Sequence, residues 1–288
     1  MRLLNLLKEK DIIKITQDYT LAQALKKLRT SHDAAFVFDD EDHFLGLINP
    51  YYTLISNSFP SNIKVTSCLF HPPKIYINTP INKVCQFFIQ TKVHYLPVFE
   101  KNEVFLGIIS ARRVLTYLKT LPIFEEKVAE LIKFKKLPLV IFPETTVSEA
   151  LSFYKKYKVS KLLVVSPEGI LKGILSYYDL IEFLSSPRVR EEKGDRKGIK
   201  THFTGKAVRD FYKSTVLTVK KDEKLEKVVN LILEKEIGSV IVVDEKRKPI
   251  NIITTRDLLN HYLNKSQSGF FKNLASKFQK IIPIKKTA

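Results

Sequence analysis

The sequence predicts an α+β protein assembled from four copies of one βαββα unit, with a basic amphipathic helix at its C-terminal end. Three observations lead there. The same order of elements recurs four times along 288 residues. Each copy switches from a helical to a strand hydrophobic period at the same place. Each also returns through a turn into an apolar run followed by a helix start.

The third copy is the plainest. Val140-Ile141-Phe142 leads to Pro143-Glu144-Thr145-Thr146, after which Val147, Ala150, Leu151 and Tyr154 recur at helical spacing. Lys161-Leu162-Leu163-Val164-Val165 reads as a buried strand, Pro167-Glu168-Gly169 as the turn and Leu171-Lys172-Gly173-Ile174-Leu175 as the return. Ser176-Tyr177-Tyr178-Asp179-Leu180 opens the last helix. The fourth copy runs through Leu217-Thr218-Val219, a helix with Leu225, Val228, Val229 and Ile232, the strand Val240–Asp244, and Ile252-Ile253-Thr254-Thr255-Arg256-Asp257-Leu258. The second passes Ile75–Ile77, Tyr95–Phe99 and Gly107–Arg113; the first passes Ile12–Ile15, Ala35–Asp39 and Gly46–Tyr52. The boundaries drawn are 1–63, 64–122, 123–186 and 212–264, with a linker at 187–211 and a tail at 265–288.

Composition narrows the function classes. No apolar stretch approaches the ~18–20 residues of a membrane span, and the N-terminus is charged too early for a secretory signal, so the chain reads as soluble and cytoplasmic. Cys68 and Cys85 lack metal or disulfide-framework spacing. The six histidines are scattered, and no phosphate-cradling glycine loop, HExxH or Ser–His–Asp set is present, so an enzyme is not expected and no metal is predicted.

The charge is uneven. The total is 48 basic against 30 acidic residues, or +18, yet residues 1–60 carry 7 basic and 8 acidic side chains. Residues 185–211 carry 8 and 4, and residues 265–288 carry 6 and none, so these 51 residues hold +10. A lysine-rich surface adapted to heat is one reading; a polyanion partner is the other. The linker contributes Arg188, Arg190, Arg196, Lys197 and Lys200. In the tail, Phe270, Phe271, Leu274, Phe278, Ile281 and Ile282 share a helical face, with Lys272, Lys277 and Lys280 elsewhere on the wheel and Lys285-Lys286 after Pro283. This helix could pack on its own domain, dock on RNA or lie on an anionic membrane; the lack of Trp counts against the membrane.

The strand–turn–Gly-apolar-apolar-Ser/Thr-x-x-Asp pattern resembles the CBS domain family, over four copies and nearly the whole chain. The resemblance implies that copies 1 and 2 pair through their sheets, that copies 3 and 4 do the same, and that the two resulting Bateman modules stack into a disk. A lone copy of ~50 residues buries too little surface to stand alone. It also implies an adenine nucleotide (AMP, ADP or ATP) in the clefts. The Ser or Thr would cap the helix and meet phosphate at its N-terminus, the Asp would accept from the ribose hydroxyls, and the strand leading into the repeat would hold adenine.

Carried over residue by residue, copy 4 keeps Thr254 and Asp257, with Arg256 as a phosphate cation, and copy 3 keeps Ser176 and Asp179. Val140 and Thr218 stand on the strands leading into copies 3 and 4. Copy 2 has Ser110 but Arg113 in the ribose position, and a guanidinium cannot accept a hydrogen bond. Copy 1 has Asn49-Pro50 and then Tyr52. Nucleotide is therefore expected between copies 3 and 4 and not, in the usual way, between 1 and 2. The same Ser/Thr-x-x-Asp spacing is also an ordinary capping box. Two outputs stay open. One is docking on RNA or the ribosome through the basic segments and Arg112-Arg113, with CBS proteins of dormant archaeal ribosomes as precedent. The other is an adenylate sensor that regulates a protein partner such as an enzyme, kinase or transporter, or acts as a homodimer.

Overall fold

The computed structural model describes residues 3–28, 34–57, 59–181 and 205–268. These form four three-stranded sheets, each built from strands consecutive in sequence. The first holds β1 (Lys14–Thr16), β2 (Ala35–Phe38) and β3 (Phe44–Ile48), and the second holds β4 (Ile75–Tyr76), β5 (Tyr95–Phe99) and β6 (Phe105–Ser110). The third holds β7 (Val140–Ile141), β8 (Lys161–Val165) and β9 (Leu171–Ser176), and the fourth holds β10 (Thr218–Val219), β11 (Ser239–Val243) and β12 (Pro249–Thr254). In every sheet the first strand runs parallel to the second and the second antiparallel to the third.

A parallel step needs a crossover, and a helix supplies it in each repeat: α1 (Leu21–Lys27), α2 (Ile81–Thr91), α5 (Val147–Tyr157) and α6 (Leu225–Glu234). Thr20 and Thr146 start α1 and α5 through capping boxes with Gln23 and Glu149, each worth about 1 kcal/mol. The other helices are α3 (Ala111–Leu118) closing repeat 2, α4 (Val128–Ile132) ahead of repeat 3, and α7 (Thr255–Gln267) closing repeat 4. Repeat 3 closes with a single 3-10 turn, Tyr177–Leu180. The expected amphipathic tail lies, beyond Ser268, outside the described residues.

The repeats pair through their sheets as expected. Leu163 and Leu171 of repeat 3 pack against Ile241 and Val243 of repeat 4. Phe36, Phe38 and Leu47 of repeat 1 pack against Ile108 of repeat 2. This first interface is the bulkier. Phe36, Phe38, Phe44, Phe99 and Phe105 interlock there, with the Phe38 and Phe105 rings 5.1 Å apart edge to face. By strand register, the second interface has Leu163, Val165, Leu171, Val243 and Pro249 at those places.

Helices join the two pairs. Val84 and Phe88 of α2 and Val114 and Leu115 of α3 share one buried cluster with Val228 and Ile232 of α6 and Leu258 and Leu259 of α7. The Tyr262 hydroxyl donates to Asn82 Oδ1 at 2.6 Å across this seam. Likewise Ile55 of repeat 1 is buried with Ala150 and Tyr154 of α5. Repeat 2 thus stands on repeat 4, and repeat 1 on repeat 3.

One further device locks each pair. The segment ahead of a repeat crosses to its partner and docks on the partner's last strand, at Lys8–Ile108, Phe70–Leu47 and Lys213–Ile174. The crossings run beside Gly107, Gly46 and Gly173. A Cβ on Gly173 would stand 2.3 Å from the Lys213 carbonyl oxygen and 2.4 Å from the Tyr212 ring, so only glycine admits the crossing backbone. Repeat 4 has Asn251 in that place. It is 3% exposed, and its side-chain amide donates to the Lys136 carbonyl at 3.4 Å in place of a backbone pairing.

Candidate functional site

The ends of β9 and β12 are near-copies of each other. At the end of β9, Ser176 Oγ accepts from the Tyr178 amide at 3.2 Å, and the Ser176 amide donates to Asp179 Oδ2 at 2.7 Å. At the end of β12, Thr254 Oγ1 accepts from the Asp257 amide at 3.3 Å, while the Thr254 amide and hydroxyl both donate to Asp257 Oδ2 at 2.7 Å. Both are capping boxes, so one carboxylate oxygen in each is committed to its own backbone.

The other oxygen faces a lysine from the segment leading into the partner repeat. Lys213 Nζ stands 3.1 Å from Asp179 Oδ1, and Lys135 Nζ stands 2.8 Å from Asp257 Oδ1. Lys135 also donates to the Ile252 carbonyl at 2.7 Å. The two carboxylates differ in surroundings. Asp179 is 8% exposed and lines a cavity; Asp257 is 27% exposed and does not line it.

That cavity, of about 660 Å³, lies between repeats 3 and 4 and reaches repeat 2. Ser176, Tyr178 and Asp179 come from repeat 3, Thr215–Leu217, Thr254 and Arg256 from repeat 4 and its approach, and Tyr95, Ser110 and Arg112 from repeat 2. Thr218 and Val140 do not line it. The residues just ahead of Thr218 do, because the docking of Lys213 on Ile174 brings Thr215–Leu217 across the Asp179 turn. Val140 stands on β7, 47% exposed.

Positive charge dominates the lining. Lys8, Arg112, Lys161, Lys213 and Arg256 face the cavity against Asp179 and Glu236. Lys161 sits where the two repeats meet and donates to Ser239 Oγ at 2.8 Å. Burial, and after it the Arg256 guanidinium, push its ammonium pKa down to about 8, with Asp179 and Asp257 pulling the other way. Lys92 is lowered for the same first two reasons, with Lys158 adding to them.

Repeats 1 and 2 use the equivalent positions differently. Asn49 Oδ1 accepts from the Tyr51 amide at 3.0 Å, and Tyr52 stacks on Phe70 with centroids 4.1 Å apart while its hydroxyl donates to the Thr91 carbonyl. Ser110 Oγ accepts from the Arg113 amide at 3.1 Å. Arg113, in the ribose position, donates to the Leu6 carbonyl at 3.3 Å and to the Leu7 carbonyl. Arg112 turns to the cavity, and its Nη1 is buried without a hydrogen-bond partner. The basic residues Arg188, Arg190, Arg196, Lys197, Lys200, Lys272, Lys277, Lys280, Lys285 and Lys286 lie outside the described residues.

The sequence reading missed Lys161, Lys213 and Lys8. Lys161 had a signal, as a charged residue opening an otherwise apolar strand; the other two stand in segments with no pattern of their own. Among the described residues, no group of His, Cys, Asp and Glu could hold a metal ion, and no helix is long and apolar enough to cross a membrane.

A family model described as the CBS domain matches residues 7–51, 66–120, 130–186 and 208–264. Protein MJ1225 of Methanocaldococcus jannaschii, described as a putative archaeal homolog of g-AMPK, superposes with a TM-score of 0.76 at 21% identity over 91% of this chain and 100% of that one. An uncharacterized conserved protein of Pyrococcus horikoshii superposes at 0.59 with 16% identity, over 90% of this chain and 99% of its own. In sequence, MJ1225 is 25% identical over 143 residues, 48% of this chain and 50% of its own. A Thermofilum pendens protein named for its place in a ribosomal RNA operon is 27% identical over 146 residues, 48% of this chain and 47% of its own. The chain thus spans about half the length of these curated relatives.

Proposed function

The chain belongs to the CBS-domain family, and from that premise we propose that it is a non-catalytic regulatory protein that holds an adenine nucleotide between repeats 3 and 4. The observation that carries this reading is the cavity of about 660 Å³ in which the Asp179 carboxylate and a surplus of cations face one another. The site would take the ribose hydroxyls on Asp179, in exchange for its contact with Lys213, and would leave Lys213, Lys161 and Arg256 to the phosphates. Apolar Val216 and Leu217 and their backbone would flank the base. Ser176 and Thr254 would keep the two turns in shape, and Asp257 would serve a second, shallower position facing Lys135.

Calorimetry with AMP, ADP and ATP tests the reading. Binding that falls ~10-fold or more in Asp179→Ala, and less in Asp257→Ala, supports it, since a hydrogen bond to a charged group contributes about 1.5–3 kcal/mol. Absence of binding for all three nucleotides sinks it.

For the output we propose docking on RNA or a ribosomal surface, as in dormancy or translation control. The support is the concentration of charge: residues 185–211 and 265–288 hold +10 of the +18, and the T. pendens relative takes its name from a ribosomal RNA operon. Arg112 and Arg113 are turned to the cavity and to the Leu6 and Leu7 carbonyls. A pull-down at low and moderate salt separates this output from regulation of a protein partner. Ribosomal RNA lost steeply as salt rises marks phosphate contacts; one retained protein without RNA rejects them.

A further inference from the structure

The lining of the cleft between repeats 3 and 4 speaks to the ligand's charge, an inference that rests on the nucleotide reading above. We propose that this cleft selects adenine nucleotides with two or more phosphates, and that Arg112 of repeat 2 holds the outer one.

Charge balance is the first reason. Five cations face two acids in the cavity, and one of those acids, Asp179, already faces Lys213. Lys8, Arg112, Lys161 and Arg256 then remain against Glu236. A single phosphate leaves much of that surplus uncompensated, and each added phosphate brings a further negative charge into a site where burial strengthens the attraction.

Arg112 itself is the second reason. Its Nη1 is shut off from solvent and meets no acceptor. A buried guanidinium donor is costly to leave unsatisfied, and the residue that carries it lines the same cavity as Asp179, so a turn of the side chain would bring the donor to a ligand there. It holds the place in repeat 2 that Arg256 holds in repeat 4, two residues after the Ser or Thr that ends the last strand. Repeat 2 has spent its own ribose position on Arg113, which donates to Leu6 and Leu7. What is left of its motif, Ser110 and Arg112, faces the neighbouring pair's cleft.

The third reason is reach. The cavity is walled by repeat 3 at Asp179, by repeat 4 at Arg256 and by repeat 2 at Arg112. A ribose on Asp179 with one phosphate would have the cations of the first two walls, Lys213 and Arg256, to bind. A phosphate chain gives the third something to bind.

The test is calorimetry on the full chain with adenosine, AMP, ADP and ATP, all without magnesium, and with inorganic tripolyphosphate as competitor. ADP and ATP should bind ~10-fold or more tighter than AMP, and tripolyphosphate should displace ADP. Arg112→Ala should erase most of the ADP preference and leave AMP affinity within about twofold, while Arg112→Lys, which keeps the charge, should retain part of it. AMP binding as tightly as ADP, or Arg112→Ala weakening both equally, overturns the proposal and leaves nucleotide binding standing. Failure of all four adenosine compounds overturns both.

Discussion

Replacing Gly173 by alanine probes the crossing that builds the site. The new Cβ would stand 2.3 Å from the Lys213 carbonyl oxygen, 2.4 Å from Tyr212 Cδ2 and 2.8 Å from its Cε2. Backbone is among these neighbours, so the crossing segment must lift. Two backbone bonds are then lost, Ile174 amide to Lys213 carbonyl at 3.0 Å and Lys213 amide to Ile174 carbonyl at 2.9 Å. At about 1 kcal/mol net for each bond, and a further ~1–3 kcal/mol of overpacking, the cost is about 3–5 kcal/mol. At Gly46 the nearest neighbours are at 3.1–3.3 Å and two of the three belong to side chains, but its φ of 158° adds backbone strain for any side chain, so Gly46→Ala should cost about 1–3 kcal/mol. Urea unfolding followed by circular dichroism gives both values. A loss below ~1 kcal/mol for Gly173→Ala would refute the close-approach argument. Because Lys213 is carried by the displaced segment, Gly173→Ala should weaken nucleotide binding as well.

The remaining predictions concern charge, backbone and thiols. Lys161, with its pKa lowered to about 8, is charged below that pH and neutral above it. Phosphate affinity should therefore fall several-fold from pH 7 to pH 9, with proton uptake on binding near pH 8, and Lys161→Met should flatten the profile; equal affinity at both pH values contradicts this. The same lowering gives the stability curve a defined slope: between about pH 8 and the ordinary lysine range the unfolded chain binds more protons, so stability rises with pH there. Arg247 holds φ at 60° in the β11–β12 turn, where the β8–β9 turn has Gly169 at 82°. Arg247→Gly should stabilise the chain by up to ~1 kcal/mol in thermal unfolding, and any loss argues against strain there. Burial pushes the Cys68 and Cys85 thiols up to about 11 and about 12; iodoacetamide at pH 7 should label both only after denaturation.

The repeat was legible because its signals are local. The buried-strand runs, the turns and the Ser/Thr-x-x-Asp starts each lie within a few residues, and they fix the sheets and the turns bearing Asp179 and Asp257. The carboxylates missing from copies 1 and 2 were legible for the same reason, and the structure adds what fills their places: Tyr52 on Phe70, and Arg113 on Leu6 and Leu7. The segment that lines the cavity ahead of repeat 4 was not legible. Thr218 is a strand residue, yet the segment that crosses to repeat 3 ends before it, and the crossing is set by Gly173 about 40 positions upstream. Nothing local shows that pairing. The inward turn of Arg112 was hidden for a similar reason. A basic pair at a helix start reads as surface charge, and only the stacking of repeat 2 on repeat 4 turns one member inward.

The cluster shared by α2, α3, α6 and α7 has a consequence for synthesis. The apolar faces of α2 and α3 are fully covered only when α6 and then α7 arrive, the last of them on the order of 140–160 residues later. At ~5–20 residues per second, the ribosome takes on the order of 10–30 s to supply it. Through that interval Phe88, Val114 and Leu115 of the nascent first half have only the partners of their own repeat, such as Leu96 and Ile109. The N-terminal half of this chain therefore exposes apolar helix faces until the last helix closes over them, and a version truncated before Thr255 should aggregate more readily than the full chain.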